Sequence, residues 1–282
     1  MDDAAAPSVI GLEYRGRVAV ITIDNDKKLN ALNQGQYYSL AQRMREVAAR
    51  DDVYITLIIG KGRYFSAGAD VSVAKAGPAL SPTSTPTETA DAVHNHWLTN
   101  FVANNLNITQ AFYTHPKILV VGLNGPVIGL SAALIAFADF IYAAPHVFLL
   151  TPFSSLGLVA EGGASRALVQ RLGIAKANEA LIMSKRISAA ELVATGFVNK
   201  VFEERDGITF RDAVLSEIDE RLGEHLVGES LLGIKKLIRR PERDVLDLQN
   251  VSEVFAGLER FVSGVPQQEF GKIASGKKRH KL

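Results

Sequence analysis

The sequence predicts an α/β core that gives way to a helical C-terminal extension. Three observations carry this. The runs RVAVITI (17–23), VYITLIIG (53–60) and KILVVGL (117–123) are short, apolar and rich in β-branched residues, as buried strands are. Segments with helical spacing separate them. After about residue 205 only helical patterns remain. Strands alternating with helices, then helices alone, give an expected core over residues 1–205 and a helical region over 206–282.

The elements follow in order. Gln34 to Arg50 reads as a helix, with Tyr38, Ala41, Arg45 and Ala48 marking its repeat and Asp51 closing it. After the second strand, KGRYFSAGADV reads as a glycine-containing loop that opens a short helix. Residues 76–90, AGPALSPTSTPTETA, lack periodicity and read as a mobile surface loop. A long helix follows, in which Val93, Trp97, Phe101, Ile108 and Phe112 recur at near-helical spacing. The third strand leads into PVIGLSAALIAFA (126–138), a buried helix. FIYAA and VFLL are short strands on either side of Pro145. In the C-terminal region Leu248, Val251, Phe255, Leu258 and Val262 form an apolar stripe, which packs either on a neighbouring subunit or on the chain's own core.

Composition narrows the function classes. The 282 residues carry 31 basic and 30 acidic side chains, a net charge of +1. That balance gives no global field for nucleic acid or membrane. With no cysteine, disulfides, thiolate metal sites and Cys nucleophiles are excluded. The start, MDDAAAPSV, lacks the apolar run of a secretory signal. The most apolar segment stops at Asp139, well short of the about 20 residues a membrane span needs.

Chemistry concentrates in three segments: FSAGADV (65–71), NGPVIGLSAAL (124–134) and LGLVAEGG (156–163). Each sets small residues where the chain turns into a helix, so a ligand can approach the backbone closely. Two such turns facing each other can hold negative charge on their free N–H groups. Glu161 is the lone charge in the run SSLGLVAEGGA. Burying it is costly unless it is paired or used. By position it is either a carboxylate at the start of the GGASRALVQ helix or a working acid/base. His94 and His96 lack a third ligand and read as a solvated helix face, so no metal is expected. Asp70 reads as a helix-start or packing carboxylate.

Together with KLNALN (28–33) and RYFSAGAD (63–70), these segments resemble the crotonase (enoyl-CoA hydratase/isomerase) superfamily from about residue 9 to the end. Within it the resemblance is to fungal peroxisomal Δ3,Δ2-enoyl-CoA isomerases. It implies a spiral of repeated β-β-α units, a helical oligomerisation region, acyl-CoA substrates and a homo-trimer or hexamer. Carried over by residue, the oxyanion-hole donors fall on the backbone N–H groups of Ala69 and Leu130. The loop Ala67, Gly68, Ala69, Asp70 and Val71, with Lys28 and Leu29, lines the CoA side, and the base falls on Glu161. The two glutamates of hydratases fall on Ala133 and Phe153, neither of which transfers protons. The implied reaction is a shift of the double bond of 3-enoyl-CoA to trans-2-enoyl-CoA by one base, with no cofactor beyond the CoA of the substrate. The alternatives are a dienoyl-CoA isomerase, a weak hydratase or a non-catalytic acyl-CoA-binding scaffold.

Asn105 is a lesser candidate for polar support of the site, and a helix-surface amide is the favoured reading. Residues 76–115 are expected to form the acyl wall. The final His280-Lys281-Leu282 resembles a variant of the Ser-Lys-Leu peroxisomal address, implying an import receptor and a matrix location.

Overall fold

The computed structural model describes residues 8–70, 78, 85–203 and 206–279. The core opens with a hairpin, β1 (Ile10–Arg15) and β2 (Val18–Ile23), followed by α1 (Gln34–Ala48) and β3 (Ile55–Gly60). Next come α2 (Pro86–Trp97), a π-helical turn and α3 (Ala103–Tyr113). Then follow β4 (Ile118–Leu123), β5 (Val127–Ile128), α4 (Gly129–Leu134), β6 (Phe140–Ala143) and β7 (Phe148–Leu150). The core ends with α5 (Ala164–Leu172), α6 (Ile174–Leu181), β8 (Ile187–Ser188), α7 (Ala189–Ala194) and β9 (Lys200–Val201). In the C-terminal region the regular elements among the described residues are all helices: α8 (Gly207–Leu222), α9 (Gly228–Arg239), α10 (Arg243–Val262) and α11 (Val265–Ala274).

Two sheets result. The larger has the order β1-β2-β3-β4-β6-β9 and is parallel except for the β1–β2 hairpin. The smaller has the order β5-β7-β8. Every residue of β3 and β4 is buried, which explains why both read as unbroken apolar runs. The repeat is visible in the path. A long strand in the large sheet is followed by a short one in the small sheet and then a helix, as in β4-β5-α4. After β3 the short-strand step is reduced to Ser66, which forms a single parallel bridge to Val127. This is the expected crotonase-like spiral.

The structure corrects several expectations. The inward face of α1 carries Tyr37, Leu40, Ala41, Met44 and Val47, whereas Tyr38 and Arg45 face outward. The true stripe includes Leu40 and Met44, which the chosen repeat skipped. The supposed loop 76–90 is already helix from Pro86, because Thr85 and Glu88 form a capping box and proline suits the first helical position. The rest of that stretch, residue 78 apart, lies outside the described residues to position 84, as does the short helix expected after Asp70. The buried helix expected over 126–138 is divided into β5, α4 and a 3₁₀ turn over Ile135–Phe137.

In α10 the apolar stripe is mostly exposed: Leu248 is 69% and Phe255 48% accessible, and only Leu258 of the five is buried. The inward face instead carries Leu246, Asn250, Glu253, Val254, Gly257, Leu258 and Phe261. That face packs on the chain's own α3 and α2, where Phe261 stacks on Trp97 with ring centroids 4.4 Å apart.

Candidate active site

The repeat brings the two glycine-rich turns together. The Ser66–Val127 bridge aligns equivalent points of successive units, so Gly68-Ala69 lies beside Ile128-Gly129-Leu130. The approach is close enough that a Cβ on Gly68 would stand 2.7 Å from the Ile128 carbonyl oxygen, and its φ of +85° also favours glycine. The first turn is braced by the KLNAL segment. The amides of Ala67, Leu32 and Asp70 donate to the carbonyls of Leu29, Gly68 and Leu32, each at 2.9 Å. Among the described residues neither the Ala69 N–H nor the Leu130 N–H, in the first turn of α4, has a protein acceptor. Two adjacent free amides suit an oxyanion.

A buried hydroxyl chain fixes this corner. Ser66 Oγ donates to the Asn30 carbonyl at 2.9 Å and accepts from the Gly68 amide at 3.1 Å. Its single proton is thereby used, so Ser131 donates to Ser66 at 2.8 Å and Tyr37 donates to Ser131 at 3.0 Å. Burial, first of all, raises the Tyr37 pKa, so the phenol stays protonated and the chain keeps its direction.

Glu161 sits on the turn ahead of α5. Gly162 presses this turn against α4: a Cβ there would meet Leu130 Cδ1 at 2.7 Å and Ala133 Cβ at 3.0 Å. Glu161 and the Leu130 amide are therefore carried by elements in direct contact. Asn105 Nδ2 donates to Glu161 Oε2 at 2.8 Å. Burial pushes the Glu161 pKa up to about 7, the Glu253 charge adds to the rise, and the Asn105 bond opposes it. Asn105 is thus no surface amide; it is 4% exposed and bonds the carboxylate directly.

A cavity of about 180 Å³ joins these groups. Ala67, Ala69, Gly129, Leu130, Asn105 and Glu161 all line it, and Glu161 is the one carboxylate among its described lining residues. The walls are largely apolar. Phe101 and Ile108 come from the expected 76–115 wall, but Phe261, Phe270 and Ile273 come from α10 and α11, which the sequence did not place at the site. Phe153 also faces the cavity, while Ala133 is sealed beneath Gly162.

Other candidates fall outside this cluster. Lys28 is exposed and pairs with Asp70 at 2.7 Å, and neither lines the cavity. Leu29 contributes only its main chain to the brace. His94 is exposed and His96 half-buried, and among the described residues no three potential ligands gather for a metal. Val71 and the tail residues His280, Lys281 and Leu282 lie outside the described residues. Sequence reasoning missed Tyr37 and Glu253. Their signals are an aromatic on the inner stripe of α1 and an acid on the inner face of α10.

Comparison with known proteins agrees with the geometry. Residues 13–218 match the family described as Enoyl-CoA hydratase/isomerase. A Pyricularia oryzae protein named Delta(3,5)-Delta(2,4)-dienoyl-CoA isomerase is 67% identical over 97% of this chain and 99% of its own. A Saccharomyces cerevisiae 3,2-trans-enoyl-CoA isomerase is 35% identical over 97% of this chain and 96% of its own. The crystal structure of an enoyl-CoA hydratase/isomerase from Pseudoalteromonas atlantica superposes with a TM-score of 0.79 at 23% identity, covering 97% of this chain and all of that one. The chain belongs to the enoyl-CoA hydratase/isomerase family.

Proposed function

We propose that the protein shifts the double bond of a 3-enoyl-CoA to give trans-2-enoyl-CoA, with Glu161 as its single acid/base. The observation that carries this reading is the lone cavity carboxylate, held at about neutral pKa beside two free amides. Glu161 takes a proton from C2. The electron pair moves into a dienolate, and negative charge gathers on the thioester oxygen between the amides of Ala69 and Leu130. The protonated Glu161 returns the proton to C4, and the double bond becomes conjugated. The steps balance without a redox partner or metal, and CoA enters only as part of the substrate. A base with a pKa near the working pH both accepts and returns a proton efficiently.

A second reading is favoured by the name of the Pyricularia relative: conversion of 3,5-dienoyl-CoA to the 2,4-isomer. There the proton leaves C2 and returns at C6. One carbon lies between C2 and C4, within reach of one carboxylate, but three lie between C2 and C6. A single acid/base supports the shorter transfer. Hydration needs water activation as well as proton delivery, and Ala133 and Phe153 supply neither. Turnover of matched 3-enoyl- and 3,5-dienoyl-CoA substrates separates the readings. Faster 3-enoyl turnover, lowered about 10²- to 10⁴-fold in Glu161→Gln, is expected; preferential dienoyl turnover overturns the assignment.

The same reading includes self-association through exposed apolar positions such as Leu248, Val251 and Phe255. It also includes delivery to the peroxisomal matrix through the terminal His280-Lys281-Leu282, tested by whether a tagged chain lacking these three residues stays in the cytosol.

A further inference from the structure

The segment carrying Glu161 is held by a helix distant in sequence. On α10, Glu253 is 4% exposed and accepts from the Gly163 amide at 2.6 Å and the Ser165 amide at 2.8 Å. It also accepts from the Ser165 hydroxyl, which in turn accepts from Gln249 Nε2, one helical turn back on α10, at 2.6 Å. These two amides belong to the unpaired donors at the start of α5, which has no side-chain cap of its own. At the other end of the segment, Arg260 of the same helix donates to the Gly157 carbonyl at 2.8 Å. Helix α10 therefore grips the stretch from Gly157 to Ser165 on both sides of Glu161.

We propose that Glu253 is a positioning residue for the base: it anchors the turn bearing Glu161, and its negative charge keeps that carboxylate avid for a proton. This rests on Glu161 being the base. Burial raises the Glu253 pKa, and against that rise three donors and the start of α5 favour its ionised form, whereas Glu161 accepts from Asn105 alone among the described residues. Glu253 therefore loses its proton before Glu161, and the two titrate as a coupled pair. Among the described residues no other unpaired charge acts on Glu161 from the packed elements. Tyr37 of α1 is a protonated phenol, and Asn105 of α3 is neutral. Arg166 of α5 is paired with Glu242, and Arg260 is engaged at Gly157. The burial-driven rise in the Glu161 pKa, with Glu253 as its second cause, accords with this geometry.

The test is the pH profile of kcat/KM for 3-enoyl-CoA turnover by the full chain. Substrate ionisations are common to all variants and cancel in the comparison. Glu253→Gln removes the charge and moves the acidic limb down by about one pH unit, while the plateau falls several-fold with the weaker base. Glu253→Asp keeps the charge, so its limb stays while its plateau falls. A merely structural role lowers the plateau and leaves the limb in place; an unmoved limb in a folded Glu253→Gln protein overturns the proposal. Should that variant not fold, ¹³C carboxyl titration of the wild type decides. The Glu161 signal, identified by its loss in Glu161→Gln, is expected to inflect a second time as Glu253 ionises. A single inflection overturns the proposal. If Glu161→Gln keeps its turnover, it is the assignment of the base that falls, whatever the Glu253 variants do.

Discussion

Asn105 and Glu161 make opposing demands that a pH profile exposes. The Asn105 amide stabilises the ionised carboxylate, and burial destabilises it. Asn105→Ala removes the stabilising side, so the proton is held more tightly and the acidic limb of kcat/KM is expected to move to higher pH, with activity near neutrality about tenfold lower. Stability runs the other way. Folding raises the Glu161 pKa from its ordinary 4.5 to about 7, so the folded state binds this proton more tightly than the unfolded chain. The contribution favours the fold below the unfolded pKa and is lost as pH climbs between the two values, at a cost of about 3 kcal/mol. Glu161→Gln is therefore expected to melt above the wild type at about pH 8 and to lose that advantage at about pH 4, while its turnover falls about 10²- to 10⁴-fold. Calorimetry across that range checks both limbs of the claim. On the opposite wall, Gly68→Ala drives a methyl into the Ile128 carbonyl and separates the two free amides. It is expected to lower kcat about 10²- to 10³-fold with little change in KM, since the hole acts on the developing charge.

At the scale of elements, the contact between α4 and the Glu161 turn decides what chemistry can be engineered. Ala133 is fully buried, and even a Cβ on Gly162 would lie 3.0 Å from its methyl. Ala133→Glu therefore cannot present a carboxylate to the cavity without lifting the turn. It is expected to destabilise the fold by more than about 3 kcal/mol and to yield no hydration, as read by chemical denaturation and a hydratase assay. The same contact explains what the sequence could and could not reveal. Glu161 was legible because it is a single charge among glycines and apolar residues. Ala69 and Leu130 act through main-chain N–H groups, which leave no side-chain signature, so only a family resemblance reaches them. Asn105 looked like a surface amide because its side is recognisable only once α3 is rotated against the core. Glu253 was hidden because a glutamate in a helix is ordinarily solvated, and nothing in its neighbourhood announces that α5 lacks a cap. Strands β2, β3, β4, β6 and β7 and the inward stripe of α2 and α3 were readable from burial-driven patterning, whereas β1, β5, β8 and β9 and the inward faces of α1 and α10 were not.

For the whole molecule, the two faces of α10 divide two tasks. Its inner face lines the candidate site with Phe261 and holds the Glu161 segment through Glu253 and Arg260, all within one chain. Its outer face leaves Leu248, Val251 and Phe255 in solvent, a costly arrangement for a lone subunit. The sequence posed these as alternatives, packing on a neighbour or on the chain's own core. The inward packing is observed, and the outward residues remain free to serve the proposed self-association. Because the buried contacts lie on the other side of the helix, outer-face substitutions leave the grip on Glu161 in place. A Leu248→Asp/Phe255→Asp double variant is expected to sediment as a smaller species than the wild type, with unchanged far-ultraviolet circular dichroism. Its acidic limb of kcat/KM is also expected to stay, since neither residue touches Asn105, Glu161 or Glu253. An unchanged sedimenting mass would show that the seam between copies lies elsewhere, for instance on the exposed Ile234, Leu237 and Ile238 face of α9.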